Sequence, residues 1–165
     1  MGLNEDMERV ALQERELRLP RLDFDLAWEL GVRLRSLAEE RSLDVVIDVR
    51  RFGQPLFYTA LEGTTPDNVE WVRRKSNVVA RFHRSSYAVG LKLKLKNETL
   101  EEQQGLAVAD YATHGGSFPL TVEGAGVVGS VTVSGLPQRA DHELVVEALC
   151  LLLERDYAEL KLADL

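Results

Sequence analysis

The stretch DVVIDVRRFGQPLFYTALEG, residues 44–63, decides the architecture. Its first half is compact and β-branched, its second half is strand-like, and FGQP between them favours a reversal. Two strands joined by a short turn form a hairpin, and a hairpin builds an antiparallel sheet. The same signal returns downstream. SFPLTVEG and GVVGSVTVSG, residues 117–135, are parted only by Gly124, Ala125 and Gly126.

Around these pairs the spacing is helical. From Leu22 to Glu40 the apolar residues Leu26, Ala27, Leu30, Leu34, Leu37 and Ala38 recur on one face, with Asp23 or Asp25 at the amide-rich end. Thr64 or Thr65 caps a second helix that opens with Pro66 and Asp67. Its apolar side carries Trp71, Val72, Lys75, Val78, Val79 and Phe82, and Arg73, Arg74, Lys75 and Arg81 are expected around its rim. SSYAVGLKLKLKNETL alternates as a strand would, yet Ser85 and Ser86 resemble a cap, which favours a helix. The segment from Pro137 to Tyr157 reads as a last helix that is apolar over almost its whole circumference. Such a helix is expected to lie on the sheet with one face and against a partner subunit with another. Leu3–Leu17 suggests an amphipathic arm, and LRLP a short strand closed by Pro20. The expected class is α/β in the α+β sense: one domain over residues 1–165, with a helical arm over about 1–16.

At 165 residues the chain can bury a real core. It has no apolar run of membrane-spanning length and no basic start followed by an apolar block, so a soluble, cytoplasmic protein with no membrane partner is expected. The single cysteine, Cys150, reads as a buried thiol. Net charge is −7, but eight cations and no acid fall between Trp71 and Asn97. That asymmetry suits a solvated helical face, an anionic small molecule, or an acidic surface of a neighbouring copy. Nucleic acid is disfavoured by the acidic whole.

Most reaction chemistries find no footing. His83, His114 and His142 are scattered without metal-ligand spacing. Ser134 in TVSGLP lacks the nucleophile-elbow pattern, and Asp141 and His142, adjacent on a helix start, point apart. Asp141 is expected to cap that helix and His142 to face solvent. In HGGSFPL, residues 114–120, Gly115 and Gly116 let backbone approach a ligand closely, or simply form a turn.

Taken together, RRFGQPLFYTALEGTTPDNVEWVRRKSNVVARFHRSS, ADYATHGGSFPL and VGSVTVSGLPQRADHELVVEAL resemble the GlcG/HbpS-like superfamily, the haem-degrading domain, in its protein family 0303 branch. The resemblance runs from about Leu17 to the end of the final helix. It implies a profilin-like antiparallel sheet of about five strands with helices on both sides, and assembly into dimers or larger rings. It implies a ligand pocket at His114, Gly115, Gly116, Pro119, Ser134 and Gly135. For haem, His114 or His83 would be the axial donor, and Arg73, Arg74 or Lys75 would meet the propionates. Two functions are thereby expected: a small-molecule binding protein, haem or another tetrapyrrole included, or a non-catalytic oligomeric scaffold. A haem-degrading or related cofactor-processing activity is the enzymatic variant. It would need a redox partner that the sequence does not display.

Overall fold

The structure, a computed structural model, describes residues 2–165. In chain order the elements are α1 (Leu3–Glu16), α2 (Phe24–Glu40), β1 (Val46–Arg51), β2 (Gln54–Ala60), α3 (Pro66–Phe82), α4 (Ser86–Lys96), α5 (Leu100–Gln104), β3 (Ser117–Val122), β4 (Gly126–Ser134), α6 (Gln138–Leu152) and α7 (Tyr157–Leu160).

Both hairpins form, and β1 pairs antiparallel with β4, so the sheet order is β2-β1-β4-β3. About five strands were expected and four are present among the described residues. Leu19 adds a single parallel bridge to Val122, where LRLP was expected to make a short strand.

The two faces of the sheet differ in chemistry because side chains alternate along each strand. Ile47 and Val49 on β1, Val131 and Val133 on β4, and Phe118 and Leu120 on β3 point one way and form the main core with α2 and α6. The opposite set, Asp48, Ser130, Thr132, Ser134 and Ser117, is equally buried but polar, and α3 lies across it. There Ser117 and Thr132 share a hydroxyl hydrogen bond of 2.8 Å, and Asp48 accepts two bonds from Arg50. A buried polar layer must pair internally, since each unsatisfied group costs ~1–3 kcal/mol.

Local signals explain the helix ends. Asp23 accepts from the Leu26 amide at 2.8 Å, and Asn68 Oδ1 accepts from the Thr65 amide at 2.9 Å. Ser85 accepts from the Ala88 amide, so the alternating segment is helical. Gly31 in α2 has no side chain to collide with the Phe57 ring, which would lie 2.2 Å from a Cβ there.

One expectation is corrected. The apolar circumference of α6 is covered mostly from within the chain, by α2, β3, β4, α4 and α7 and by Gln13 of α1, with Leu151 left exposed. Gln13 of α1 ties this side together, its Nε2 donating to the Leu160 carbonyl at 2.9 Å and its Oε1 accepting from His142 Nε2 at 2.8 Å. His142 is therefore fully buried, not solvent-facing, and burial pulls its imidazole down to about 3. A stripe of exposed apolar residues lies on α2, where Phe24, Trp28 and Val32 recur every four residues on the outside. No helix among the described residues is long and apolar enough to cross a membrane.

Candidate functional site

Asn68, Trp71 and Lys75 recur at three- and four-residue spacing along α3, which places them on one face of that helix. That face looks onto the HGG turn before β3, the end of β4 and the start of α6. The result is a cleft of about 260 Å³ bordered by Trp71, His114, Gly115, Ser134, Gly135 and Gln138. Lys75 and Asp141 form its floor.

Lys75 is not on the rim of α3. Its side chain is 2% exposed, and its ammonium donates to Val133 O at 2.6 Å, Gly115 O at 3.1 Å and Asp141 Oδ2 at 3.2 Å. All three ammonium protons are thus accounted for. Asp141 was expected to cap α6, but the N-cap is Pro137 and carries no side-chain cap bond; Asp141, inside the first turn, instead accepts from the Leu136 amide before the helix at 3.0 Å and pairs with Lys75. Burial lowers Lys75 and pushes the Asp141 carboxyl up to about 6, both against the pull of the partner charge.

Glycines make this packing possible. Gly116 has φ +133, a region closed to most side chains, and a Cβ there would lie 2.4 Å from both Lys75 Nζ and Val133 O. Gly115 donates its amide to Gln138 Oε1 at 3.0 Å, and a Cβ would strike the Gln138 carbonyl. HGGSFPL is a turn that opens a strand, and its backbone wraps a buried ammonium.

His114 stands at the mouth. Its ring meets Trp71 edge-on, with centroids 5.0 Å apart, and Arg74 lies over the same indole at 4.7 Å. Desolvation, then Lys75 and Arg74, hold the imidazole below its ordinary value. That shift favours the neutral form, which keeps a lone pair for a ligand. Beyond it a second groove, about 330 Å³, runs between α4, α5 and the 106–113 loop. Leu93, Leu100, Leu106, Val108 and Tyr111 give it apolar walls, and Arg74 and Lys94 stand at its edge. His114 borders both spaces.

Of the expected site residues, Lys75, His114, Gly115, Ser134 and Gly135 converge on the cleft. Gly116 lies beneath it. Pro119 is farther along β3, opposite Ser130, and does not line it. Arg73 turns outward to Glu70, Asp110 and the Ala109 carbonyl, whereas Arg74 donates twice to the Val108 carbonyl and borders the second groove. His83 ends α3 in a left-handed conformation beside a separate pocket of about 130 Å³ near Arg50. Sequence reasoning missed the Lys75–Asp141 pair. The available signal was a lysine within the apolar stripe Trp71, Val72, Val78 and Val79, since a buried cation requires a buried acceptor.

The family model described as "Haem degrading protein HbpS-like" matches residues 22–150. A UPF0303 protein of Paraburkholderia phymatum is 60% identical over 163 residues, 99% of each chain. One of Acidobacterium capsulatum is 62% identical over 162 residues, 98% of each. Among solved structures, the Ybr137w protein superposes with a TM-score of 0.85 at 27% identity, over 93% of this chain and 92% of the other. A PduOC:haem complex superposes with a TM-score of 0.68 at 15% identity, over 78% and 93%.

Proposed function

Since this chain belongs to the HbpS-like family of haem-degrading proteins, we propose that it binds haem or a related tetrapyrrole at His114, between the polar cleft and the apolar groove. One observation carries the reading: the His114 imidazole borders both the polar cleft and an apolar-lined groove edged by Arg74 and Lys94. The donor set fits the group. His114 supplies a nitrogen lone pair, the groove supplies apolar lining for a macrocycle face, and Arg74 and Lys94 would meet the carboxylates, on a lining that also carries Glu98 and Glu101. The other two histidines suit the role less well. His142 is sealed in the core, and His83 faces a pocket of only about 130 Å³. When bound, haem would bring a redox-active iron, and the chain's own part is to hold and orient it. Lys75 and Asp141 support that part from below by fixing the turn that carries His114.

Titration of the protein with haemin tests this. The expected result is a saturable Soret shift that His114→Ala weakens by about tenfold or more and His83→Ala leaves intact. A response that both variants share would overturn it.

A second reading, assembly of identical copies into a dimer or larger ring, is favoured by the outer surface of α2. Phe24, Trp28 and Val32 are 57, 62 and 40% exposed, and they flank β2, an edge strand without a charged residue. Edges and stripes of this kind are normally covered or blunted. Light scattering on the wild type and on Trp28→Glu is expected to give a multimer and a smaller species. A monomeric wild type would end this reading.

A further inference from the structure

The lysine run of α4 is not explained by the site at His114. Lys92 and Lys96 are four residues apart, exposed, and without an ion pair among the described residues, in a chain whose net charge is −7. Like charges at this spacing repel by roughly 0.2–0.5 kcal/mol. Lys94 and Lys96 complement the carboxyl end of the helix dipole, but Lys92, nearer its middle, does not. Both Lys92 and Lys96 overhang a groove of about 320 Å³ on the side of α4 that faces α1 and the end of α3. Met7, Phe82, Val89, Leu93 and Leu100 give it an apolar strip, with Gln103 and Gln104 beside them.

The charges at the rim define the ligand. Arg84 borders the groove but is committed to Glu14, and Glu98, also on the lining, offsets one ammonium. One positive charge is left over, beside the apolar strip. We propose that this groove binds a monoanionic amphiphile, an aliphatic carboxylate whose chain lies along Leu93 and Phe82 and whose head sits between Lys92 and Lys96. A tetrapyrrole dicarboxylate is a poorer match, because the groove offers one uncompensated charge and no histidine. The site is thus separate from that at His114 and does not depend on it. Leu93 and Leu100 form the ridge between the two grooves.

Isothermal titration with decanoate, kept below its micelle concentration, tests the assignment on the full chain. The expected result is saturable one-to-one binding, little heat from acetate, and little from decyltrimethylammonium, which has a similar chain with the opposite charge. Lys92→Gln with Lys96→Gln, both at exposed positions, is expected to weaken decanoate about tenfold. His114→Ala is expected to leave it unchanged. Absence of saturable binding, equal binding of the cationic amphiphile, indifference to the double lysine change, or loss in His114→Ala would each overturn the proposal. The last outcome would place the anion in the neighbouring groove. Failure of haemin to bind would leave the decanoate result untouched.

Discussion

Lys75→Met exchanges the ammonium for an apolar side chain of similar length and so isolates the charge. Three hydrogen bonds disappear, those to Val133 O, Gly115 O and Asp141, and the Asp141 carboxylate is left buried with only backbone amides to hold it. Removing one partner of a buried pair costs ~3–5 kcal/mol. The methionine recovers part of this by filling the same space, so a loss of about 3 kcal/mol is expected, a large share of the ~5–15 kcal/mol typical of a domain. Asp141→Asn is expected to cost about 2 kcal/mol, since the two carbonyls still accept from the ammonium. The double variant Lys75→Met with Asp141→Asn should cost clearly less than the two losses added, with a coupling of roughly 2 kcal/mol. Urea unfolding at pH 7, followed by far-UV circular dichroism, measures all four proteins. A Lys75→Met loss below about 1 kcal/mol, or strict additivity, would refute the reasoning that this pair clamps the HGG turn.

Gly116→Ala is expected to destabilise by at least about 2 kcal/mol, from backbone strain and collision with Lys75 Nζ, as read in the same unfolding assay. His142 is neutral in the fold with its value near 3, so its contribution is full above about pH 6.5 and is lost as pH falls toward 3. Comparing urea midpoints at pH 7.5 and 4.5 should show a steeper fall for the wild type than for His142→Gln. Asp141 has the opposite sign: with its folded value raised to about 6, the unfolded chain ionises first, and this group's contribution declines as pH rises from about 4 to 6. Asp141→Asn should remove that decline from the measured stability profile. Burial pushes the Cys150 thiol up to about 11, so it should resist a thiol reagent at pH 8 until urea unfolds the chain.

The hairpins were legible because strand-forming runs flank turn residues in both FGQP and Gly124–Gly126, and local chemistry alone decides those pairings. Helix boundaries were legible for the same reason, through Asp23, Thr65 and Ser85. What covers α6 was not. An apolar circumference says that a helix is enclosed but not by what, and here the cover arrives from α1, more than a hundred residues earlier in the chain. The cleft was half legible. His114, Gly115, Ser134 and Gly135 followed from motif resemblance, whereas the Lys75–Asp141 pair joins residues 66 positions apart. An acid at a helix start is expected from capping alone, so a partner on another element leaves no mark in the local pattern. Arg73 and Arg74 show the limit of reading neighbouring residues as one patch. On adjacent helical positions they diverge, one toward Asp110 and one over Trp71.

The chain has three histidines, so its imidazole signals can be followed one by one by proton–carbon correlation spectroscopy while zinc protoporphyrin, a diamagnetic haem analogue, is added. The account predicts that the ring protons of His114 move far upfield under the macrocycle, while those of buried His142 and of His83 stay in place. A large shift at His83, or none at His114 when the porphyrin is in excess, would contradict it.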